Sequence, residues 1–214
     1  MTIQIRRQNG TEYYKILANG EYPDFEGDEP YNFYNNNIPY QIRLNNKSLS
    51  SINNTIKLED ELNTIEIIWN KILTDLKQMF AFCDKIESID FSNFDFSQVT
   101  TTRHLMYECR GLKYVNFGNA NLTEVREMSY MFCNCSSLEK VDNCFQTYKV
   151  HDIDFFFYSC SSLKSIDLSN LYTPYLLYML LAFAYCEELE TIELPNFNNS
   201  ELSDYTTPHF ENFF

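Results

Sequence analysis

The sequence is poor in glycine and in basic residues, and both shortages exclude classes of function. Only 5 of the 214 residues are glycine. The chain contains no P-loop, no Gly-x-Gly-x-x-Gly dinucleotide motif and no Gly-x-Ser-x-Gly nucleophile elbow. Lys and Arg number 16 against 30 Asp and Glu, which gives a formal net charge of −14. Such a chain repels a phosphate backbone, so we expect no nucleic-acid binding.

A long apolar run is also lacking. The longest apolar stretch, residues 171–185, is interrupted by Thr173 and Pro174, and it is shorter than the roughly 18–20 residues that a membrane helix needs. Met1 leads directly into a polar, strand-like stretch without the apolar core of a secretory leader. We therefore expect no membrane span. The compartment stays open, with an intracellular location as the first expectation.

The sequence does contain a repeat with a period of about 26 residues. Its clearest marks are cysteines separated by 26, 26, 25 and 26 residues: Cys83, Cys109, Cys135, Cys160 and Cys186. Three positions before each of them stands an aromatic residue or methionine: Phe80, Met106, Phe132, Phe157 and Phe183. Apolar residues recur three and six positions after each cysteine, ending in the alternation of a strand with one buried face. We predict that the cysteines and phenylalanines form one buried core ladder.

A coil that buries its apolar side against its neighbours explains this pattern. We predict a leucine-rich-repeat-like solenoid, in which parallel β-strands stack and short helical or irregular segments return the chain. Residues 1–70 would form a β-rich N-terminal cap, residues 71–200 about five repeats, and residues 201–214 a C-terminal cap or partial repeat. Within the cap, Asn9-Gly10 predicts a hairpin turn. The third repeat lacks one residue near Asn143, where we expect a bulge or a shortened turn.

Three segments of the repeat carry a family resemblance: residues 79–95, 159–170 and 186–195, read together with Ile67-Ile68-Trp69-Asn70 before the first repeat. The first two resemble the 26-residue surface-protein repeat of the BspA-like leucine-rich repeat family. The third is similar to the wider BspA-like pattern. The resemblance implies a leucine-rich-repeat-like solenoid, and many relatives are surface proteins implicated in adhesion or protein binding. Such a fold does not by itself identify a ligand.

The chain has 7 cysteines, an odd number that cannot pair completely. We expect the repeat cysteines to be buried, reduced thiols whose side chains point in parallel into the core. A zinc site built from Cys133, Cys135, Cys144 and His151 is the alternative, although the Cys-x-Cys spacing is not that of a regular zinc pair. His104 and His151 fall on the return segments, where we expect a surface or capping role. We predict no bound metal and no cofactor.

Polar residues between the buried strand positions predict a functional surface. Because side chains alternate along a strand, these residues should share one outward face: Asp90, Tyr114, Asn116, Lys140, Asp142, Asp167 and Glu193. Neighbouring carboxylates in such a ladder repel unless cations or a basic partner offset them. A face that is only solvated is the alternative to a binding face.

These observations favour a non-enzymatic module that binds or scaffolds protein partners, of the surface or adhesion type where the family resemblance extends to function. The alternative is a structural accessory subunit of a larger assembly, with contacts made by cap aromatics such as Tyr31 and Phe33. An enzyme is a third and distant alternative. An exposed apolar patch over several coils would favour the subunit, whereas a polar face with isolated aromatics would favour a ligand site.

Overall fold

A computed structural model describes residues 1–7, 13–18, 32–58, 60–142 and 145–193 of the protein. In the cap it gives β1 (Thr2–Arg6), β2 (Tyr14–Lys15), α1 (Phe33–Asn36), β3 (Gln41–Leu44), β4 (Lys47–Ser48), β5 (Thr55–Ile56) and β6 (Leu62–Ile68). The repeats carry β7 (Ile86–Asp90), β8 (Tyr114–Asn116), β9 (Asn121–Leu122), β10 (Lys140–Asp142), β11 (Gln146–Thr147), β12 (Ser165–Asp167) and β13 (Thr191–Glu193). No helix among the described residues has the length and apolar character needed to cross a membrane.

Successive repeat strands lie side by side in parallel, with the same period as the sequence. Ser88 of β7 is next to Tyr114 of β8, which is next to Lys140 of β10. β12 and β13 pair in the same way, with Ser165 beside Thr191. The residue at the matching inward position of β7, β8, β10 and β12 is buried against the core: Ile89, Val115, Val141 and Ile166. The residues on either side of it therefore point outward.

The return segment before each cysteine is a run of tight turns and not a helix. In the second repeat, Leu105 N–H donates to Thr102 O and Cys109 N–H donates to Met106 O, each three residues back. The N–H groups between them point to the next repeat, as when Met106 N–H donates to Met131 O. A helix would satisfy these donors within itself. Of the two expected forms of return segment, helical or irregular, these residues adopt the irregular one.

Two positions in every repeat, five and one residues before the cysteine, have a left-handed backbone. Their φ angles lie between 51° and 61°, at Gln78, Phe82, His104, Glu108, Tyr130, Asn134, Phe155, Ser159, Leu181 and Tyr185. This conformation costs about 1–2 kcal/mol for a residue with a side chain. Stacking offsets part of that cost, because the Tyr130 ring lies 4.7 Å from His104 and 4.6 Å from Phe155, nearly parallel to both.

Strand β1 joins the cap to the first repeat. It pairs antiparallel with β6 on one side and β7 on the other, inside a seven-stranded sheet of order β10-β8-β7-β1-β6-β3-β4. β2 pairs with β5 and not with β1, so the hairpin expected across Asn9-Gly10 is wrong, and the turn itself lies outside the described residues. The turn signal is local, whereas insertion between two long strands buries Ile3 and Ile5 completely.

The core is built from stacked aromatic rings. Phe80, Phe132 and Phe157 are fully buried and Phe183 is 1% exposed. The rings of Phe132 and Phe157 stack at 4.8 Å with an interplanar angle of 4°. Such pairs add about 0.5–1.5 kcal/mol to the free energy gained by burial. The rings of this column thus link the third repeat to the fourth and, through Phe157 and Phe183 at 5.6 Å, the fourth to the fifth.

Two residues expected at the surface are in the core. Phe33 is fully buried and meets the Trp69 ring edge-on at 6.4 Å, so it makes no external contact, and Tyr31 lies outside the described residues. His104 is also fully buried, stacked on Tyr130. Both expectations are wrong for the same reason. Position along the chain does not reveal which face of a turn a neighbouring segment covers.

Candidate functional site

The outward strand face holds the seven predicted binding residues in two groups. Asp90, Tyr114, Asn116, Lys140 and Asp142 lie on β7, β8 and β10, three adjacent strands of the large sheet. Asp167 and Glu193 lie on β12 and β13, which form a separate two-stranded sheet within the described residues. The two groups differ in how their charges are compensated.

In the first group the carboxylates are compensated inside the protein. Tyr114 Oη donates to Asp142 Oδ2 at 2.7 Å, and Lys140 Nζ lies 2.8 Å from Asp142 Oδ1. The hydrogen bonds from Lys140 and then Tyr114 hold the pKa of Asp142 below its usual range. Donation to Asp142, helped by burial, raises the pKa of Tyr114 to about 12. Asn116 Nδ2 donates to Asp90 Oδ1 at 3.3 Å. Repulsion along this part of the ladder is therefore already offset.

In the second group two carboxylates stand exposed on neighbouring strands. Asp167 and Glu193 are paired in register, and both residues are exposed. The side-chain and backbone hydrogen bonds from Ser169 lower the pKa of Asp167, so this carboxylate stays ionised at neutral pH. The nearest lysine in sequence, Lys164, is 3.8 Å from Glu188 instead. This acidic pair is the part of the predicted face that is most open to a partner.

The outward face continues into the cap, which sequence reasoning missed. Ser88 Oγ of β7 donates to Gln4 Oε1 of β1 at 3.3 Å. Further along the sheet, Arg43 of β3 lies 3.1 Å from Glu66 of β6. Seven strands at about 4.8 Å spacing give a polar surface about 29 Å across. The alternation of polar and apolar residues in β1 predicts a strand. It does not predict that this strand pairs with β7.

Comparison with known proteins gives one family. The model of the family described as "Mycoplasma protein of unknown function, DUF285" matches residues 36–141 and residues 74–197. The second match alone covers more than half of the 214 residues. The chain belongs to the DUF285 family. Neither the curated proteins nor the solved structures that were compared gave a match. Membership is consistent with a surface-protein type of repeat, and the family description assigns no function.

Four of the five repeat cysteines of this DUF285 chain are hydrogen-bond donors. The expectation that all five are buried is wrong for Cys186, which is half-buried at the last repeat that the structure describes. Each of four Sγ atoms donates to a backbone carbonyl of the preceding repeat: Cys109 to Phe80 at 3.0 Å, Cys135 to Met106 at 3.1 Å, Cys160 to Phe132 at 3.2 Å and Cys186 to Phe157 at 3.1 Å. Burial raises the pKa of Cys83 to about 12 and places those of Cys109, Cys135 and Cys160 well above the ordinary thiol value. These thiols are held protonated and unreactive.

The zinc alternative finds no support in the part of the chain that the structure describes. No group of three His, Cys, Asp or Glu side chains there is arranged to hold a metal ion. Cys135 is already used in the thiol ladder, and Cys144 lies outside the described residues. His151 is half-buried. The six described cysteines are all free thiols.

A second surface, which the sequence analysis missed, is apolar. Leu177, Tyr178 and Leu180 on the fifth return segment are 46%, 51% and 38% exposed. The backbone register puts polar residues at the position of Tyr178 in the other repeats: Asp75, Thr101, Glu127 and Asp152. Three more exposed tyrosines cluster on the preceding turns, with Tyr148 5.7 Å from Tyr172 and 5.9 Å from Tyr175. The break in the polar column at residue 178 was visible in the sequence.

Proposed function

We propose that this DUF285 chain is a non-enzymatic repeat module that binds or scaffolds a protein partner through its outward strand face. On this proposal the repeats form a leucine-rich-repeat-like solenoid of the BspA-like surface-protein type. The parallel register of β7, β8 and β10, and of β12 and β13, supports that architecture. The observation that carries the functional proposal is the exposed acidic pair, Asp167 and Glu193, on an otherwise compensated face.

The charge of the protein favours a basic partner surface. The formal net charge of −14 creates a long-range field that attracts cationic groups. At short range, Asp167 and Glu193 give that field a local focus, flanked by the exposed hydroxyl residues Ser165 and Thr191. Charges at the rim of an interface raise the association rate more than they lower the dissociation rate. Binding through this pair should therefore be fast and sensitive to salt.

The test removes the two charges without changing side-chain size. Asp167→Asn with Glu193→Gln should slow association with the partner and flatten its salt dependence. The matched control is Asp84→Asn with Glu187→Gln, which removes two exposed carboxylates away from the strand face. Partners are identified by affinity purification from the native source with mass spectrometry, then measured as purified pairs at two ionic strengths. If both double variants keep every partner with unchanged rates, the strand face is not the interface.

A structural accessory subunit is the second candidate, and the apolar patch at residues 177, 178 and 180 favours it. Exposed apolar surface of this kind commonly marks a contact between proteins. The test introduces residues that other repeats carry at these positions: Leu177→Thr, Tyr178→Thr and Leu180→Ser, after Thr100, Thr101 and Ser129. The triple variant should leave its native assembly in gel filtration while keeping the wild-type circular dichroism spectrum. Retention in an assembly of unchanged size argues against a subunit role for the patch.

A further inference from the structure

A pocket of about 310 Å³ opens where the cap meets the first repeat. β1 runs antiparallel to both β6 and β7, so its first residues lie between the ends of those two strands. Thr2 is thus paired with Glu66 on one side and Asp90 on the other. The pocket is lined by Met1, by the segment that follows β6 and by the turn that follows β7. It therefore adjoins the outward strand face.

The pocket has both polar and apolar lining residues, and its aromatic side chains are fixed in place. Trp69 meets Phe33 edge-on at 6.4 Å and Phe94 at 6.2 Å, and its Nε1 donates to the carbonyl of Asn37 at 2.8 Å. Phe94 is held in turn by the ring of Phe96, 4.8 Å away. Ile72 also lines the pocket and is 62% exposed. Because the walls are held by contacts outside the pocket, they do not need to rearrange around a guest group.

The charged groups around the pocket are of both signs. Asp95 lines it and is ionised, since hydrogen bonds from Ser97 lower the pKa of this carboxylate. Lys71 also lines the pocket, and its ammonium group donates to the uncharged carbonyl of Asn36 at 3.1 Å. Burial lowers the pKa of the Met1 amino group, against the opposing effect of Glu66 and Asp90. The carboxylates of Asp95, Glu66 and Asp90 are therefore set against the ammonium groups of Lys71 and Met1, and it is the formal net charge of −14 on the whole chain that favours a cationic neighbour.

We propose that this pocket takes one apolar side chain of a partner segment that carries lysine or arginine on both sides of it. A volume near 300 Å³ is the lower limit of small-molecule sites, and it suits a single anchoring side chain better than a larger ligand. Anchors of this kind, seated in a preformed pocket, contribute most of the affinity of many protein interfaces. The inference rests on the proposed protein-binding function and specifies which side chains the partner segment carries.

The chain supplies its own reporter, because Trp69 is its single tryptophan and lines the pocket. The probe is the peptide Gly-Lys-Lys-Leu-Lys-Lys-Gly, amidated and carrying an amino-terminal fluorophore. Trp69 emission and peptide anisotropy should change together, with one midpoint. The same peptide with alanine in place of leucine should bind about 10-fold more weakly. A version with glutamate in place of every lysine should not bind.

Two pairs of variants locate the site. Ile72→Ala should weaken peptide binding about 5-fold, whereas Ile38→Ala, which truncates a 58% exposed cap isoleucine outside the lining, should not. Asp95→Asn should weaken binding, whereas Glu187→Gln, which removes an exposed carboxylate outside the lining, should not.

Three results would overturn the inference. The first is that the peptide does not bind. The second is that the peptide anisotropy changes while Trp69 emission does not. The third is that a variant and its matched control lose peptide affinity equally. None of these decides the proposed function, since the partner assay uses Asp167 and Glu193 together on β12 and β13. Conversely, loss of the strand-face interaction with peptide binding intact would separate the pocket from that face.

Discussion

The thiol of Cys135 donates a hydrogen bond to the backbone carbonyl of Met106, with 3.1 Å between sulfur and oxygen. The same carbonyl accepts the N–H of Cys109, also at 3.1 Å. One oxygen thus closes a turn in its own repeat and binds a side chain of the next. Cysteine suits this position because it is small and apolar and still carries a weak donor.

The first prediction concerns thiol reactivity. The pKa values of Cys109, Cys135 and Cys160 are raised well above normal by burial, whereas Cys186 is half-buried with a pKa of about 11. Timed alkylation with mass spectrometry should therefore modify Cys186 first, and the other three only on unfolding. Native labelling of Cys135 at the rate of a small thiol, or zinc found by elemental analysis, would contradict the ladder.

The second prediction concerns the aromatic core. Phe132 is fully buried and Ile166 is 3% exposed, so Phe132→Ala and Ile166→Ala should lower the free energy of unfolding by about 3–5 and 2–5 kcal/mol. Tyr172 is 50% exposed, and Tyr172→Ala should change it by less than about 0.5 kcal/mol. Urea titration followed by circular dichroism provides the measurement. Equal midpoints for Phe132→Ala and Tyr172→Ala would show that the ring column does not hold the repeats together.

The third prediction concerns acid stability. Burial, with help from Arg103 and Lys77, lowers the pKa of His104 from 6.5 to about 3. The folded protein therefore keeps this ring neutral while the unfolded chain binds a proton below pH 6.5, so stability falls as pH drops from 6.5 towards 3. A single titrating group can change the free energy of unfolding by at most about 1.36 kcal/mol per pH unit. Between pH 6.5 and pH 5 the free energy of unfolding should therefore fall by about 2 kcal/mol.

The variant that tests this prediction is His104→Phe, which places there the residue that Phe155 supplies two repeats on. It keeps a ring to stack on Tyr130 and removes the titrating nitrogens. The unfolding free energy of the variant should fall less between pH 7 and pH 5 than that of the wild type. Asp152 and Asp154, whose pKa values are raised by burial, are common to both proteins. Parallel pH profiles would exclude His104 as the titrating group.

The fourth prediction separates the two groups of strand-face carboxylates. Asp142→Lys removes the acceptor of Tyr114 and Lys140 and brings two ammonium groups together, so it should cost about 1 kcal/mol of stability. Asp167→Lys changes an exposed site and should alter stability little. Thermal unfolding of both variants at low salt measures the difference. If Asp142→Lys unfolds at the wild-type temperature, the Tyr114–Asp142–Lys140 network is not part of what stabilises β10.

Much of the repeat geometry could be predicted from spacing alone. Residues 26 apart, such as Ser88, Tyr114 and Lys140, are neighbours across the sheet, because every repeat must bury the same positions against the next. The left-handed residues could not be predicted in this way. Gln78 and Tyr130, for example, share no side-chain chemistry, only their distance from a cysteine. The backbone adopts that conformation there because alternate N–H groups must reach the neighbouring repeat.

The candidate sites, too, could be predicted from the sequence only in part. The sequence shows which polar residues alternate with the buried strand positions, and so names Asp142 and Asp167 equally. Only the folded chain distinguishes them, since Asp142 meets a tyrosine hydroxyl from 28 residues earlier and Asp167 stays exposed. The pocket beside Trp69 could not be predicted from the sequence at all, because its lining residues come from separate parts of the chain: Met1, the end of β6 with the segment after it, and the turn after β7.

By itself, then, the sequence determined the period of the repeats, the identity of their core columns and the outward position of the polar residues. Those properties depend on neighbours one repeat away, and a regular spacing is enough to encode them. The tertiary structure alone decided that β1 lies between β6 and β7, that Phe33 and His104 are buried, and which carboxylates have a donor. Each of these depends on contacts between segments of unrelated sequence, which no periodicity can specify.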